Sequence, residues 1–350
     1  VRVLFCGLGS IGQRHLRNLR QLLGDELQVH AYRVRGQRIK LKDGSVEEGA
    51  DLERDYGVVV HESLAQALAS NPDAAFICNP NSLHVPVALA CAHAGVAIFM
   101  EKPLASELDG IAELDALVRE KNLLFHVGYN YRFHPGLQRI KTLVQEGFFG
   151  RLLTARGEIG EHLPDWHRYE DYRQMYASRA VQGGGVIRSQ IHEMDVICWL
   201  FGLPLSIVTH GGQLSNLEID VEDTASSLMR CSGEAGSFPI LLHQDFLQRP
   251  AVRTFKVVGD SGVAEIDLLA NRLRVFDAQG KLCEQDDFHG FVRNDMYLAQ
   301  TRNFLGCLGS GATPLVSLRD GLQSLRLALA ALRSLKESRE VALSEVNIHD

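Results

Sequence analysis

The chain has no Cys-x-x-Cys pair, no stretch approaching 18 continuous apolar residues, no internal repeat and no low-complexity segment. Each absence removes a class of protein. The seven cysteines are scattered singly and odd in number, which suits a reducing compartment better than a disulfide framework. Without a long apolar run, a membrane span is not expected. A formal net charge of −7 implies no basic face, which argues against a general nucleic-acid binder. The first apolar run begins at Val1, so no signal peptide is expected and a cytoplasmic protein is. With 45% hydrophobic and 23% charged residues over 350 positions, the chain is long enough for two domains with an extensive core.

What is present starts at the first residue. Val1, Val3, Leu4, Phe5 and Cys6 suit one buried strand, and His15, Leu16, Leu19, Leu22 and Leu23 recur at helical intervals. Between them Gly7, Gly9 and Gly12 fall at the G-x-G-x-x-G spacing, with Ser10 and Ile11 opening the helix. A strand, a glycine turn and a helix N-terminus make a phosphate cradle. Gly7 permits the turn, Gly9 admits a pyrophosphate, and Gly12 lets the helix approach the strand.

Leu27, Val29 and Ala31 alternate as a second strand ending at Tyr32-Arg33, where an adenosine ribose is read. NAD sites usually carry a carboxylate here. This chain has Arg33, with Arg35 and Arg38 behind it, and a guanidinium can pair with a 2′-phosphate. NADP is therefore expected over NAD, the plainer reading being a solvated charge run. Gly36 to Tyr56 reads as an insertion with a hairpin at Lys42-Asp43-Gly44-Ser45, and Val58 to Val60 as a short strand. Strands at 74–78, 96–100 and 123–127 alternate with helices at 82–94 and 106–121, which implies a doubly wound parallel sheet. Ligands bind beyond the carboxyl ends of such strands, so Asn79, Pro80, Glu101, Lys102, Tyr129 and Asn130 share one rim.

From Tyr131 the pattern changes. A helix at 135–146 and a strand at 152–158 precede an aromatic, polar segment and Gly183-Gly184-Gly185. Val186 to Phe201 has helical spacing, then alternating runs at 207–213, 224–230, 238–247, 254–258, 263–267 and 273–276 lack long helices between them. Helices at 296–308 and 318–336 end the chain. This half reads as α+β on a large, mostly antiparallel sheet with an open face, so a homodimer or homotetramer through that sheet is expected. The expected domains are 1–130 and 131–350.

The glycine turn, the Glu101-Lys102-Pro103 rim and the Gly183-Gly184-Gly185…His192-Glu193-Met194-Asp195 helix resemble the glucose–fructose oxidoreductase/inositol dehydrogenase (Gfo/Idh/MocA) family over essentially the whole chain. The resemblance implies an N-terminal Rossmann domain, a C-terminal sheet that forms dimers, and hydride transfer between a nicotinamide cofactor, NADP or NAD, and a hydroxyl-bearing carbon of a sugar, cyclitol or sugar derivative. By match, Lys102 lies beside the nicotinamide and the reacting hydroxyl, where the ring's positive charge should lower its pKa. His192 matches the acid/base histidine, and Asn79, Pro80, His84 and Asn130 match positions lining the cofactor or substrate cleft. The run from Leu163 to His167 with Glu170 to Arg173 looks like a branch associated with surface-polysaccharide metabolism.

One departure matters. The family commonly has an aspartate three or four residues before the histidine, where this chain has Ser189 and Arg188. Asp195, on the same helical side, is a candidate substitute. Either Lys102 alone handles the proton or Arg188 signals an anionic substrate, so Arg188 and Ser189 join Lys102, Asn130 and His192 as candidate substrate residues. Trp166, His167 and Tyr172 stack on a sugar or pack beneath the sheet. No metal site is expected, because His192, Glu193 and Asp195 lack ligand spacing. Two other readings remain open: a cofactor-holding but weakly catalytic regulatory protein, and an enzyme recycling tightly bound NADP within one turnover.

Overall fold

Strand β1 (Arg2–Cys6) is buried at all but its first residue and runs straight into the glycine turn. The structure, a computed structural model, describes residues 1–33, 39–42, 45–47, 50–234 and 236–347. Helix α1 (Ser10–Leu23) lays Gly12, His15, Leu16 and Leu19 inward, and β2 (Gln28–Tyr32) pairs parallel to β1. A two-strand ladder, β3 (Leu41–Lys42) and β4 (Ser45–Val46), follows. The expected tip at Asp43-Gly44, like Arg35 and Arg38, lies outside the described residues.

The remaining elements of the first half are α2 (Leu52–Tyr56), β5 (Val59–His61), α3 (Leu64–Ala69), β6 (Ala74–Ile77), α4 (His84–His93), β7 (Ala97–Met100), α5 (Ile111–Glu120) and β8 (Phe125–Val127). They complete a six-stranded sheet in the order β5-β2-β1-β6-β7-β8, parallel throughout. The expected helix from Ser106 begins only at Ile111. Gly110, in the left-handed region at φ 75°, caps it there, and a Cβ at that position would lie 2.8 Å from Val85.

Helix α6 (Pro135–Gln145) leads to β9 (Leu152–Gly160) in the second sheet. Helices α7 (Val186–Ser189) and α8 (His192–Phe201) precede β10 (Ser206–Gly212), β11 (Thr224–Gly233), β12 (Gly236–Asp245), β13 (Val252–Gly259), β14 (Gly262–Asp267), β15 (Arg272–Asp277) and β16 (Leu282–Asp286). Helices α9 (Arg293–Ser310) and α10 (Leu318–Glu337) and the short β17 (Val341–Ala342) close the chain. The nine strands run in the order β16-β15-β14-β13-β9-β12-β11-β10-β17. The pairing of β12 with β9 is parallel, and the other pairings are antiparallel. Helices α6, α7 and α10 cover one face. On the other, Leu153, Leu228 and Leu241 are 41%, 46% and 50% exposed.

Two details position the cleft between the sheets. Helices α9 and α10 return to the first sheet, α9 against α1 and α10 against β8, with Ser324 Oγ donating to Tyr129 Oη at 2.7 Å. The single helix expected over 186–201 is broken at Gln190-Ile191. Gln190 leaves helical geometry at φ −101°, ψ 36°, and its side chain and carbonyl are bonded to β12 through the Asp245 carbonyl and Gln244 Nε2, both at 2.8 Å. The break releases the Ser189 carbonyl from the helical ladder toward the first sheet.

Candidate active site

Each glycine of the turn has a different steric reason. Gly7 sits at φ 101°, and a Cβ there would lie 2.8 Å from the Cys78 carbonyl oxygen; one on Gly12 would lie 2.5 Å from the Gly7 carbonyl. A Cβ on Gly9 meets nothing within 4 Å, because this residue faces the open cleft. Helix α1 has no side-chain cap and no acidic residue in its first turn, so the backbone N–H groups at Ser10 and Ile11 are left for an anion. Asn79 Oδ1 and Asn130 Oδ1 are buried without a hydrogen-bond partner, and Pro80 borders the same space. A diphosphate with hydroxyl and amide donors on either side fits this donor and acceptor set. The cleft, about 1710 Å³, runs from the turn to the second sheet, which is room for a dinucleotide and a small substrate.

Lys102 and His192 come to this cleft from opposite sides. Lys102 Nζ donates to the Ser189 carbonyl at 2.8 Å, across the helix break. Behind it, Glu101 Oε2 accepts from the Lys102 N–H at 3.2 Å while Oε1 meets His15 Nε2 at 2.6 Å. Glu101 thus ties the lysine to the helix that follows the glycine turn. The His192 ring packs edge-on to Tyr129 and Tyr131, and its Nδ1 is buried without a partner. Burial, then the charges of Lys102, Arg253 and Arg293, hold its pKa well below the usual histidine value. The imidazole is therefore neutral at physiological pH and able to accept a proton.

Other expected site residues are placed differently. Arg188 does not reach the cleft: its Nη2 donates to Glu107 Oε1 at 2.7 Å, closing an ion pair between the two halves. Asp195 does not orient His192. It is 0% exposed and accepts two bonds from Arg132, at 2.9 and 2.7 Å, and Arg132 also donates to Asp320. The His84 ring lies between the carbonyls of Pro103 and Asn79, at 2.8 and 3.0 Å, joining two rim loops. Arg33 lines the cleft at the end of β2, but its guanidinium is 2.7 Å from Glu53 Oε1. Trp166 borders the cleft edge-on to Phe246, whereas Tyr172 Oη turns away to accept from the Glu218 N–H. Ser189 Oγ is buried and unpartnered at the cleft wall.

Sequence reasoning missed Tyr131, Glu161, Tyr169, Arg253, Arg293 and Tyr297. Arg253 and Arg293 lie on elements more than 60 residues from His192, and no local pattern marks them. Tyr169, in the aromatic segment, lines the same cleft as Ser10 of the glycine turn. The glycine triplet lets this segment approach α7. A Cβ on Gly184 would lie 2.5 Å from the Tyr176 carbonyl, and one on Gly185, at φ 104°, 2.2 Å from Glu222.

A dinucleotide cradle and a lysine on the first sheet, facing a neutral histidine from the second half, define a nicotinamide-dependent oxidoreductase. Residues 1–129 match the oxidoreductase family with an NAD-binding Rossmann fold, GFO/IDH/MocA, and residues 137–265 match that family's C-terminal domain. The chain belongs to the Gfo/Idh/MocA oxidoreductase family. It is 27% identical to a myo-inositol 2-dehydrogenase of Thermotoga maritima over 99% of both chains. It is 24% identical to a scyllo-inositol 2-dehydrogenase (NAD(+)) of Bacillus subtilis, over 98% of this chain and 96% of that one. Among solved structures, the WlbA dehydrogenase of Bordetella pertussis in complex with NADH and UDP-GlcNAcA shares the fold with a TM-score of 0.79, at 22% identity over 98% of each chain. Among the described residues no helix is long and apolar enough to cross a membrane.

Proposed function

We propose that the protein interconverts a hydroxyl-bearing carbon and the corresponding ketone on a sugar, cyclitol or sugar derivative, using a nicotinamide cofactor held by Gly7, Gly9, Ser10, Ile11 and Gly12 with Asn79, Pro80 and Asn130. The observation that carries this reading is the neutral, unpartnered His192 beside Lys102, facing the glycine cradle. A bound nicotinamide ring supplies the hydride acceptor. The Lys102 ammonium donates to the reacting oxygen and stabilises its developing negative charge, and His192 takes the hydroxyl proton. Burial and neighbouring cations keep His192 in its neutral, proton-accepting form, and the same cations make it a weaker base than an aspartate-paired histidine. A place in surface-polysaccharide metabolism belongs to the same reading, supported by the 163–173 run, and the unpaired state of all seven cysteines supports a reducing, cytoplasmic setting. The substrate domain is taken to begin at residue 131.

The finer cofactor reading is NADP(H), supported by Arg33. The Arg33–Glu53 pair favours a second reading, NAD(H), because the carboxylate already occupies the guanidinium and would repel a 2′-phosphate. Cofactor reduction across sugars, sugar acids, nucleotide sugars and inositols, with NAD⁺ and NADP⁺, tests the function. In the same assay Glu53→Ala is expected to swing the kcat/KM ratio toward NADP⁺ by about tenfold or more; an unchanged ratio removes Arg33 from cofactor choice. Silence across the panel with NADH still bound would favour the regulatory reading.

The open face of the second sheet, with Leu153, Leu228 and Leu241 outward, supports a homodimer or homotetramer. Light scattering is expected to give a multiple of the 38.8 kDa chain. A monomer at micromolar concentration would reject this assembly.

A further inference from the structure

The cleft wall beyond His192 carries more positive charge than the proposed chemistry uses. Arg253, on β13, is 4% exposed. Its Nε donates to Glu193 Oε1 and its Nη1 to Tyr131 Oη, both at 2.6 Å, with the guanidinium carbon 3.9 Å from the centre of the Tyr131 ring. Its Nη2 is buried without a partner. A buried guanidinium with one idle donor is costly unless something accepts from it. Arg293, the first residue of α9, lines the same cleft and has no hydrogen bond or ion pair among the described residues. It lies near Arg253, Tyr131, Tyr297 and Glu161.

The local balance indicates what kind of group would be accepted. Lys102, Arg253 and Arg293 face three carboxylates: Glu193, already bonded to Arg253, Glu101, held by His15, and Glu161. With so little positive charge left over, a monoanion is better suited than a dianion. A planar carboxylate also matches donors offered by two guanidiniums.

We propose that the substrate is a sugar acid, whose single carboxylate accepts from Arg253 Nη2 and Arg293 while its ring hydroxyl meets Lys102 and His192. This rests on the oxidoreductase reading of the cleft and moves the anion site from Arg188, which is bound to Glu107, to the opposite wall.

Calorimetric titration of the NADH-loaded protein with glucuronate, galacturonate and gluconate, against glucose, galactose and a sugar phosphate, tests it. The carboxylates are expected to bind about 10- to 100-fold more tightly than the neutral sugars, the range for a charge-assisted hydrogen bond. Arg293→Met, at an exposed position, should collapse that ratio about tenfold or more, and Arg293→Lys should keep part of it. Glu161→Gln, which removes an opposing charge, should move it the other way. Equal affinities, preference for the phosphate, no binding by any of them, or a ratio untouched by Arg293→Met would overturn the proposal. Absorbance of reduced nicotinamide is read separately. Oxidation of neutral polyols without a preference for acids ends this proposal and leaves the oxidoreductase reading standing, whereas tight acid binding with no cofactor reduction does the reverse.

Discussion

Replacing Lys102 by methionine is expected to lower kcat by a factor on the order of 10²–10⁴, with NADH affinity within about threefold of the parent protein. The lysine is held from two directions. Its backbone N–H is bonded to Glu101, itself bonded to His15, and its ammonium reaches the Ser189 carbonyl exposed by the helix break. Methionine fills the same length of cleft without a charge, so packing against the loop changes little while the donor to the reacting oxygen disappears. A second readout separates this role from a structural one. The Lys102 charge is, after burial, the largest cause of the depressed His192 pKa. Without that charge the His192 pKa rises, so the residual activity for alcohol oxidation should fail at a higher pH than in the parent protein as acid is added. Near-normal turnover, or an acid limb that does not move, would take Lys102 out of the proton chemistry. Cofactor binding is followed by quenching of protein fluorescence.

Substitution of His126 by phenylalanine should make the protein more resistant to acid, by about 2 kcal/mol at pH 5 relative to its effect at pH 7.5. His126 lies on β8 with 0% of its surface exposed. Its ring stacks on Phe99 at 4.9 Å and meets Phe304 edge-on, and neither ring nitrogen has a hydrogen-bond partner. Burial, with the nearby His15 adding to it, pushes its pKa from 6.5 down to about 3. Below pH 6.5 the unfolded chain therefore takes up a proton that the folded chain refuses. Stability is lost as pH falls from the unfolded value toward the folded one, at about 1.4 kcal/mol per pH unit for this group. Phenylalanine keeps the stacked ring and removes the proton site. Chemical unfolding of both proteins at the two pH values checks this, and a difference that does not change with pH would show that His126 takes up its proton as readily in the folded protein as in the unfolded chain.

The parts of this site visible in the sequence are those whose cause is local. The G-x-G-x-x-G spacing lies on a strand-to-helix junction because Gly7 and Gly12 answer contacts within the turn and with the adjoining β6 loop, while Gly9 leaves the backbone open to the cleft. Alternation of strands and helices placed Asn79, Glu101, Lys102 and Asn130 along one rim, since a parallel sheet turns every strand end the same way. The break at Gln190 was not visible. Val186 to Phe201 keeps apolar spacing across it, and the interruption comes from side-chain bonds to β12, more than 50 residues away. The partners of Arg188 and Asp195 were not visible for a related reason: helical spacing says which residues share a side, but not that Glu107 and Arg132 wait there.

From the sequence alone came the order of elements, the phosphate cradle, the rim that follows it and the family, because periodicity and glycine spacing act over a few residues. Only the tertiary structure decided which charges reach the cleft and which are spent elsewhere. Arg188 is held by Glu107, Asp195 by Arg132 and Arg33 by Glu53, while Arg253 keeps one buried donor idle and Arg293 forms no ion pair among the described residues. A charge is satisfied by whatever lies within a few ångströms in the folded chain, and those neighbours come from positions that sequence distance does not reveal.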